Sequence, residues 1–108
     1  MITTHVLDTA LGRPAQAVPI TLELAEGAGW KPIGQGQTDE DGRLRTLCPT
    51  VAPGRYRLRF DTGRYFENAG TEAFYPVVEV QFVVRQTGAH YHVPLLLSPF
   101  GYSTYRGS

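Results

Sequence analysis

Three histidines are the residues of this chain best suited to proton transfer near neutral pH: His5, His90 and His92. His90 and His92 are two residues apart, so a strand would project both imidazoles from one face. Such groups could serve as a general acid and base. A His-x-His pair with a third histidine could instead hold zinc with an open position for water, although nothing in the spacing brings His5 to the pair. Each histidine could also be a structural residue with satisfied hydrogen bonds.

The last four residues, Tyr105-Arg106-Gly107-Ser108, form a second candidate segment. Gly107 allows close backbone approach, and a docked Ser108 would present a fixed carboxylate. A frayed tail is the alternative. Arg43 is a third candidate because it is the first residue after a polar turn, 38–42, although a solvated surface cation would occupy the same position.

Composition restricts the class of protein. With 108 residues, 42% hydrophobic and 19% charged, the chain predicts one domain, residues 1–108, around one small core. Ten basic and ten acidic residues give no net charge, which argues against a nucleic-acid partner and favours self-association. The lone Cys48 cannot form an internal disulfide, and we interpret it as a semi-buried apolar residue rather than a reactive thiol. No apolar run approaches the roughly 20 residues of a membrane span, and Met1 is not followed by a leader pattern, so we expect no membrane partner and a cytoplasmic location.

Alternating apolar and polar residues, with turn residues about every ten positions, predict an all-β antiparallel sandwich. The predicted strands cover residues 2–7, 18–24, 30–37, 55–60, 77–84, 90–97 and 102–106. Glycines interrupt the third of these, which is typical of an edge or bulged strand. Residues 62–69 show no alternation and end at Gly70, which predicts one short helix.

Several segments together resemble the 5-hydroxyisourate hydrolases, the transthyretin-related enzymes of urate breakdown. They are Thr4-His5-Val6-Leu7-Asp8, Gly12-Arg13-Pro14-Ala15, Asp41-Gly42-Arg43, Phe74-Tyr75-Pro76, the run from His90 to Pro99 and Tyr105-Arg106-Gly107-Ser108. The resemblance covers nearly the whole chain. The terminal tetrapeptide is the signature of these enzymes and separates them from transthyretin, the hormone carrier, which lacks the matching histidines.

This resemblance implies a transthyretin-like two-sheet β-sandwich of about eight strands with one short helix. It also implies that edge strands pair into dimers and that dimers form a homotetramer around a central channel, with sites at the dimer–dimer interface. The reaction implied is hydrolysis of 5-hydroxyisourate to 2-oxo-4-hydroxy-4-carboxy-5-ureidoimidazoline in urate (purine) degradation, without a metal or other cofactor.

The residues implied in catalysis are His5, Arg43, His92 and Ser108, and those implied in substrate binding are His5, Arg43, His90, Tyr105, Arg106 and Gly107. Either His5 or His92 could activate water, while Arg43 would orient the substrate and stabilise negative charge. The alternative is a non-catalytic, transthyretin-like carrier of small ligands. A carrier channel would be apolar, so histidines and an arginine there favour the enzyme.

Overall fold

The computed structural model describes residues 1–108 and contains nine strands and one helix. The elements are β1 (Ile2–Asp8), β2 (Arg13–Pro14), β3 (Pro19–Glu26), β4 (Gly29–Gln37), β5 (Arg43–Cys48), β6 (Gly54–Phe60), α1 (Thr62–Asn68), β7 (Val78–Val84), β8 (Tyr91–Ser98) and β9 (Gly101–Thr104). The strands form two sheets, so the predicted β-sandwich with one short helix is confirmed.

The first sheet has the order β2-β1-β8-β9, and β5 also pairs with β1. The second sheet has the order β4-β3-β6-β7. All pairs are antiparallel except β1 with β8, which run parallel from Ile2 opposite Tyr91 to Asp8 opposite Leu97. The expectation of a wholly antiparallel sandwich is therefore wrong at this pair. Because β1 and β8 come from opposite ends of the chain, no hairpin forces them to be antiparallel.

One cluster of 19 buried apolar residues fills the space between the sheets. Strand alternation decides which side chains enter it: Val93, Leu95 and Leu97 of β8 point inward, and Ile2 and Val6 of β1 do the same. Each fully buried aliphatic side chain contributes about 1.5–3 kcal/mol relative to an exposed one. Residues at the intervening positions lie on the outer face of the first sheet, where polar groups do not disturb the core.

Strand β5 is the main element that the alternation did not predict. Its apolar residues Leu44 and Leu47 are both buried although they are three positions apart, which breaks the period of two. The pairing of β5 with β1 has a register shift between Ile2 and Thr4, and this irregularity accommodates the spacing. The two-residue β2 is too short to give a pattern.

The ends of two C-terminal strands also differ from the prediction. The strand predicted over 90–97 begins one residue later, so His90 precedes β8. The strand predicted over 102–106 runs from Gly101 to Thr104 instead. The predicted edge strand is confirmed, since β4 lies at the edge of its sheet and its pairing shifts register between Leu22 and Glu23.

Helix α1 begins after Asp61, whose carboxylate accepts a hydrogen bond from the Arg64 amide at 3.4 Å. Gly70 follows its C-cap with φ +67°, a conformation that ends helices. The predicted helix is thus confirmed. At seven residues it does not meet the length or hydropathy of a membrane-crossing helix.

A buried carboxylate joins α1 to the end of β1. Asp8 is 2% exposed, and its Oδ2 accepts a 2.7 Å hydrogen bond from the Tyr65 hydroxyl. Its Oδ1 accepts the backbone N–H groups of Ala10 and Leu11, each at 3.0 Å. Burial, together with the bond to Asp8, raises the pKa of Tyr65 to about 12. The phenol therefore stays protonated and continues to donate.

Candidate active site

Three strands of the first sheet bring His5, Arg43 and His92 together on its outer face. In the parallel β1–β8 pair Thr3 lies opposite His92, and in the antiparallel β1–β5 pair His5 lies opposite Arg43. Thr3 and His5 share a face because they are two residues apart on β1. The sheet thus assembles polar residues that are far apart in sequence.

A tight turn fixes the start of β5 and with it the backbone of Arg43. The carboxylate of Asp39 accepts hydrogen bonds from the amides of Asp41 at 2.9 Å and Arg43 at 3.0 Å. These bonds, the Arg43 contact first, lower the pKa of Asp39. Gly42 has φ +74° and its carbonyl accepts the Val6 amide at 2.7 Å. The turn therefore lies against β1 and directs the chain into β5 beside His5.

One threonine hydroxyl joins two of the histidines. Thr3 Oγ1 lies 2.8 Å from His90 Nε2 and 2.8 Å from His92 Nδ1. The ring centroids of His90 and His92 are 6.1 Å apart with an interplanar angle of 52°. The prediction that both imidazoles lie on one face is confirmed. His92 is half-buried, and His90 is exposed.

The surroundings of His92 favour its neutral form. Burial lowers its pKa below the ordinary value of 6.5, and the positive charge of Arg43 and the neighbouring His90 and His5 lower it further. A neutral imidazole can accept a proton at neutral pH, whereas an imidazolium cannot. His92 is therefore chemically suited to act as a base.

A cavity of about 250 Å³ opens beside this pair. Its lining includes Thr3, Arg43, Arg45, His90, His92 and Ser108. Two guanidinium groups next to imidazoles make the cavity a suitable site for an anionic or carbonyl-rich small molecule. Arg45 also forms an exposed ion pair with Asp39, with 3.6 Å between the guanidinium and the carboxylate. Arg43, and not Arg45, lies directly opposite His5 in the sheet.

The C-terminal segment is docked against β8. The Gly107 amide donates a 2.8 Å hydrogen bond to the His92 carbonyl. A Cβ atom on Gly107 would lie 2.6 Å from His92 Cδ2 and 3.3 Å from Pro94 Cγ. Only a glycine fits against the imidazole without displacement. This contact carries Ser108 to the cavity, so the frayed-tail alternative does not describe these two residues.

Four of the candidate residues do not line this cavity: Gly107, which packs against His92, and also His5, Tyr105 and Arg106. His5 is half-buried beside Arg43 but does not line it. Tyr105 and Arg106 line a separate cavity of about 230 Å³ next to β7. The Arg106 guanidinium lies 4.5 Å from the centroid of the Tyr91 ring, a cation–π contact that holds the segment. Within one chain, Tyr105 and Arg106 are therefore not part of the histidine cavity.

The zinc-type arrangement considered from the sequence does not form from the side chains present. No three His, Cys, Asp or Glu side chains are grouped so that they could ligate one metal ion. The two imidazoles of the His-x-His pair instead share the Thr3 hydroxyl.

Cys48 is half-buried away from this cavity, and its thiol donates to the Thr50 carbonyl at 2.8 Å.

Sequence reasoning missed Met1, Thr3, Thr4 and Arg45 of the cavity lining, of which Thr3 and Arg45 bear on its chemistry. Thr3 precedes His5 by two positions on the same strand, so the period of two does place it on the histidine face. Its partners are His92 of β8 and His90 just before that strand, however, and only the parallel register brings them to Thr3. Arg45 was not recognised as a candidate because strand β5, which carries it, was not predicted.

The sequence profile of the HIUase/Transthyretin family matches residues 2–107. This chain belongs to that family. It is similar to a 5-hydroxyisourate hydrolase of Salmonella typhimurium, with 47% identity over 110 residues that cover 100% of this chain and 81% of the relative. The resemblance found in the sequence is thereby confirmed.

Two solved structures show how the family shares one fold between different members. The 5-hydroxyisourate hydrolase of Klebsiella pneumoniae is 37% identical, with a TM-score of 0.88 over 99% of this chain and 98% of its own. The transthyretin of Sparus aurata is 35% identical, with a TM-score of 0.93 over 98% of this chain and 95% of its own. The overall fold therefore does not distinguish a hydrolase from a transthyretin within the family. The side chains of the site must make that distinction.

Proposed function

We propose that this chain hydrolyses 5-hydroxyisourate to 2-oxo-4-hydroxy-4-carboxy-5-ureidoimidazoline, a step of urate degradation. The observation that carries the proposal is a half-buried imidazole, His92, held at Nδ1 beside Arg43 in a small cavity. The Salmonella relative bears the name of this hydrolase and aligns with the whole chain. A small-molecule substrate is consistent with the volume of the cavity.

The reaction opens a cyclic amide. A water molecule adds to the carbonyl carbon, a C–O bond forms, the C–N bond breaks, and the proton taken from water goes to the departing nitrogen. The enzyme must supply a base, a cation for the developing oxyanion and an acid for the nitrogen. One imidazole can fill the first and third roles in succession because it returns the proton it accepts.

We assign the proton transfers to His92, whose Nδ1 is bonded to Thr3 and whose Nε2 makes no hydrogen bond within the chain. Arg43 cannot be a base, because its guanidinium stays charged, and it stabilises the oxyanion instead. His5, beside Arg43, orients the water or the substrate. The lowered pKa of His92 supports its role as the base.

The remaining candidate residues serve substrate and tail positioning in this proposal. Ser108 and His90 line the cavity, which places both where they would contact the substrate ring. Gly107 sets the distance between the tail and His92. Arg106 anchors the segment through the Tyr91 ring, so that Ser108 reaches the substrate, and Tyr105 lies beside Arg106 in the lining of the neighbouring cavity.

The carrier alternative is less well supported by the cavity. A carrier of apolar ligands needs an apolar wall, and the histidine cavity is lined mainly by polar and charged side chains. We further propose that residues 1–108 act as a single domain in a homotetramer, a dimer of dimers, located in the cytoplasm and active without a metal or other cofactor.

The test is the absorbance decay of freshly generated 5-hydroxyisourate with and without the protein, before and after treatment with a chelator. We expect the protein to accelerate the decay equally in both cases. Acceleration lost on chelation would favour a metal hydrolase. Saturable binding of an aromatic ligand with no acceleration would favour the carrier.

A further inference from the structure

We propose that the Thr3 hydroxyl is a positioning residue and proton relay that connects His92 to His90. Its basis is the bridge in which one oxygen lies 2.8 Å from a nitrogen of each ring. The inference rests on the proposed function, because it concerns the proton that His92 takes from water. It adds a residue and a proton path to that reaction.

Counting protons shows why the bridge couples the two rings. A threonine hydroxyl has one proton to donate and lone pairs that accept. If it donates to His90 Nε2, then His92 must donate its Nδ1–H to Thr3. His92 Nε2 is then unprotonated and available as the base. If the hydroxyl donates to His92 Nδ1 instead, the base position is occupied by a proton.

The relay assigned here starts from the first arrangement. Water gives a proton to His92 Nε2, the Nδ1 proton of His92 passes to the Thr3 oxygen, and the Thr3 proton passes to His90 Nε2. The hydroxide formed adds to the carbonyl carbon, and the positive charge is now on His90. When the C–N bond breaks, the same transfers run in reverse and Nε2 protonates the nitrogen. No atom or electron is gained from outside.

The burial of the three groups fits this direction. His92 is half-buried, Thr3 is 5% exposed and His90 is exposed. A charge on the exposed His90 ring is better solvated than a charge on the half-buried His92 ring. Three positively chargeable groups oppose a charge on His92: Arg43 from β5, His90 from the preceding segment and His5 from β1. Arg45 and the amino terminus at Met1 line the same cavity and are also cationic, whereas the carboxylate of Ser108, which lines it too, is the one anionic group there.

The first test measures the imidazole nitrogens of His92 by ¹⁵N NMR in the protein without substrate, in wild type, Thr3→Val and Thr3→Ser. Valine keeps the shape and strand preference of threonine and removes the hydroxyl. We expect His92 to carry its proton on Nδ1 in wild type and Thr3→Ser, and to lose that preference in Thr3→Val. An unchanged tautomer in Thr3→Val would overturn the proposal. This result does not depend on the identity of the substrate.

The second test measures turnover of 5-hydroxyisourate. We expect Thr3→Val to lower kcat about 10- to 100-fold with little change in KM, as for other residues that orient a reacting side chain, and Thr3→Ser to restore most of it. His90→Gln should lower kcat by a similar factor, and kcat of the double variant should be no lower than that of either single variant. Additive losses, or full activity of Thr3→Val, would contradict the relay.

A matched control is Thr9→Val, which removes a hydroxyl bonded to the Leu97 carbonyl at the other end of the same sheet. It should change neither the His92 tautomer nor kcat. If wild type does not act on 5-hydroxyisourate at all, the proposed function fails, while the NMR comparison still decides whether Thr3 sets the tautomer.

Discussion

At the scale of single residues, the proposed reaction places two requirements on His92. It must be near positive groups that bind an electron-rich substrate, and it must remain neutral to accept a proton. Burial and the charge of Arg43 meet the second demand by lowering its pKa. The lowered pKa decreases the stability of the folded protein in acid, because His92 is protonated less readily in the folded protein than in the unfolded chain.

This cost predicts a pH dependence of stability. Below the ordinary histidine pKa of 6.5 the unfolded chain binds a proton at His92 that the folded chain does not, so stability falls as the pH is lowered. The fall ends below the pKa of folded His92, where both states are protonated. We expect the free energy of unfolding, measured with urea between about pH 7.5 and pH 5.5, to decrease more in wild type than in His92→Gln.

Comparing wild type with His92→Gln in this pH range separates the contribution of His92 to the free energy of unfolding from that of the acidic residues. The pKa of Asp39 is also displaced, but from 3.8 downward, so its contribution is lost only at much lower pH. Equal slopes in wild type and His92→Gln would mean that His92 titrates normally in the folded protein, and its assignment as a neutral base would lose its support.

Gly107 gives a second prediction at the residue scale. A methyl group at this position would meet the His92 ring at 2.6 Å, so Gly107→Ala must move either the tail or the imidazole. We expect the rate of ring opening to fall at least tenfold, since misplacement of a reacting group by about 1 Å costs up to 10²-fold. The melting temperature should change little because the tail covers little of the core.

Gly29→Ala is the matched control for this variant. A methyl group at Gly29 meets nothing within 4 Å, and its backbone does not adopt positive φ. It should keep wild-type activity. Full activity in Gly107→Ala as well would show that the contact of the tail with His92 does not contribute to catalysis.

At the scale of elements, β1 connects the site to the rest of the fold. It pairs with β2, β5 and β8, carries Thr3 and His5 on its outer face, and ends at the buried Asp8. Helix α1 secures this end through the Tyr65 hydroxyl. The stability of that contact therefore bears on a strand that positions two residues of the site.

Tyr65→Phe tests this connection. The variant keeps the ring, which packs against the core, and leaves Asp8 with its two backbone donors but without the hydroxyl. Loss of one bond to a buried carboxylate should cost about 1–3 kcal/mol in the free energy of unfolding, measured by chemical denaturation. Tyr75→Phe is the control, since Tyr75 is exposed and its hydroxyl makes no hydrogen bond within the chain; it should change stability little. Equal stability of Tyr65→Phe and wild type would show that the bond contributes nothing net.

The elements also show what the sequence could and could not predict. The strand predicted over 77–84 is present as Val78–Val84, because burial on one face imposes a period of two that the sequence shows. Strand β5 was missed because its register shift removes the pattern. The meeting of Thr3 with His90 and His92 depends on a parallel pairing between chain ends, and no local signal encodes such a contact.

At the scale of the whole molecule, the surface of one chain suggests association. Phe74 is 69% and Phe100 is 63% exposed, and Tyr102 and Tyr105 are also exposed. Strands β4, β7 and β9 are sheet edges with free backbone groups. With no net charge, little repulsion opposes contact between copies.

We therefore predict a closed homotetramer in solution. Light scattering coupled to gel filtration should give a mass four times that of the 11.9-kDa chain. Dilution should reduce specific activity if a second chain completes the site. A monomer with full activity would contradict the proposal that sites lie between subunits.

The central claim is that the cavity at His92 opens the ring of 5-hydroxyisourate, and the most direct measurement compares the decay of this substrate with wild type and with His92→Gln. Glutamine is polar and of similar size but cannot act as a base at neutral pH. We predict rapid decay with wild type and a rate about 10²- to 10⁴-fold lower with His92→Gln, whose circular dichroism should match wild type. Equal rates with the two proteins would contradict the account.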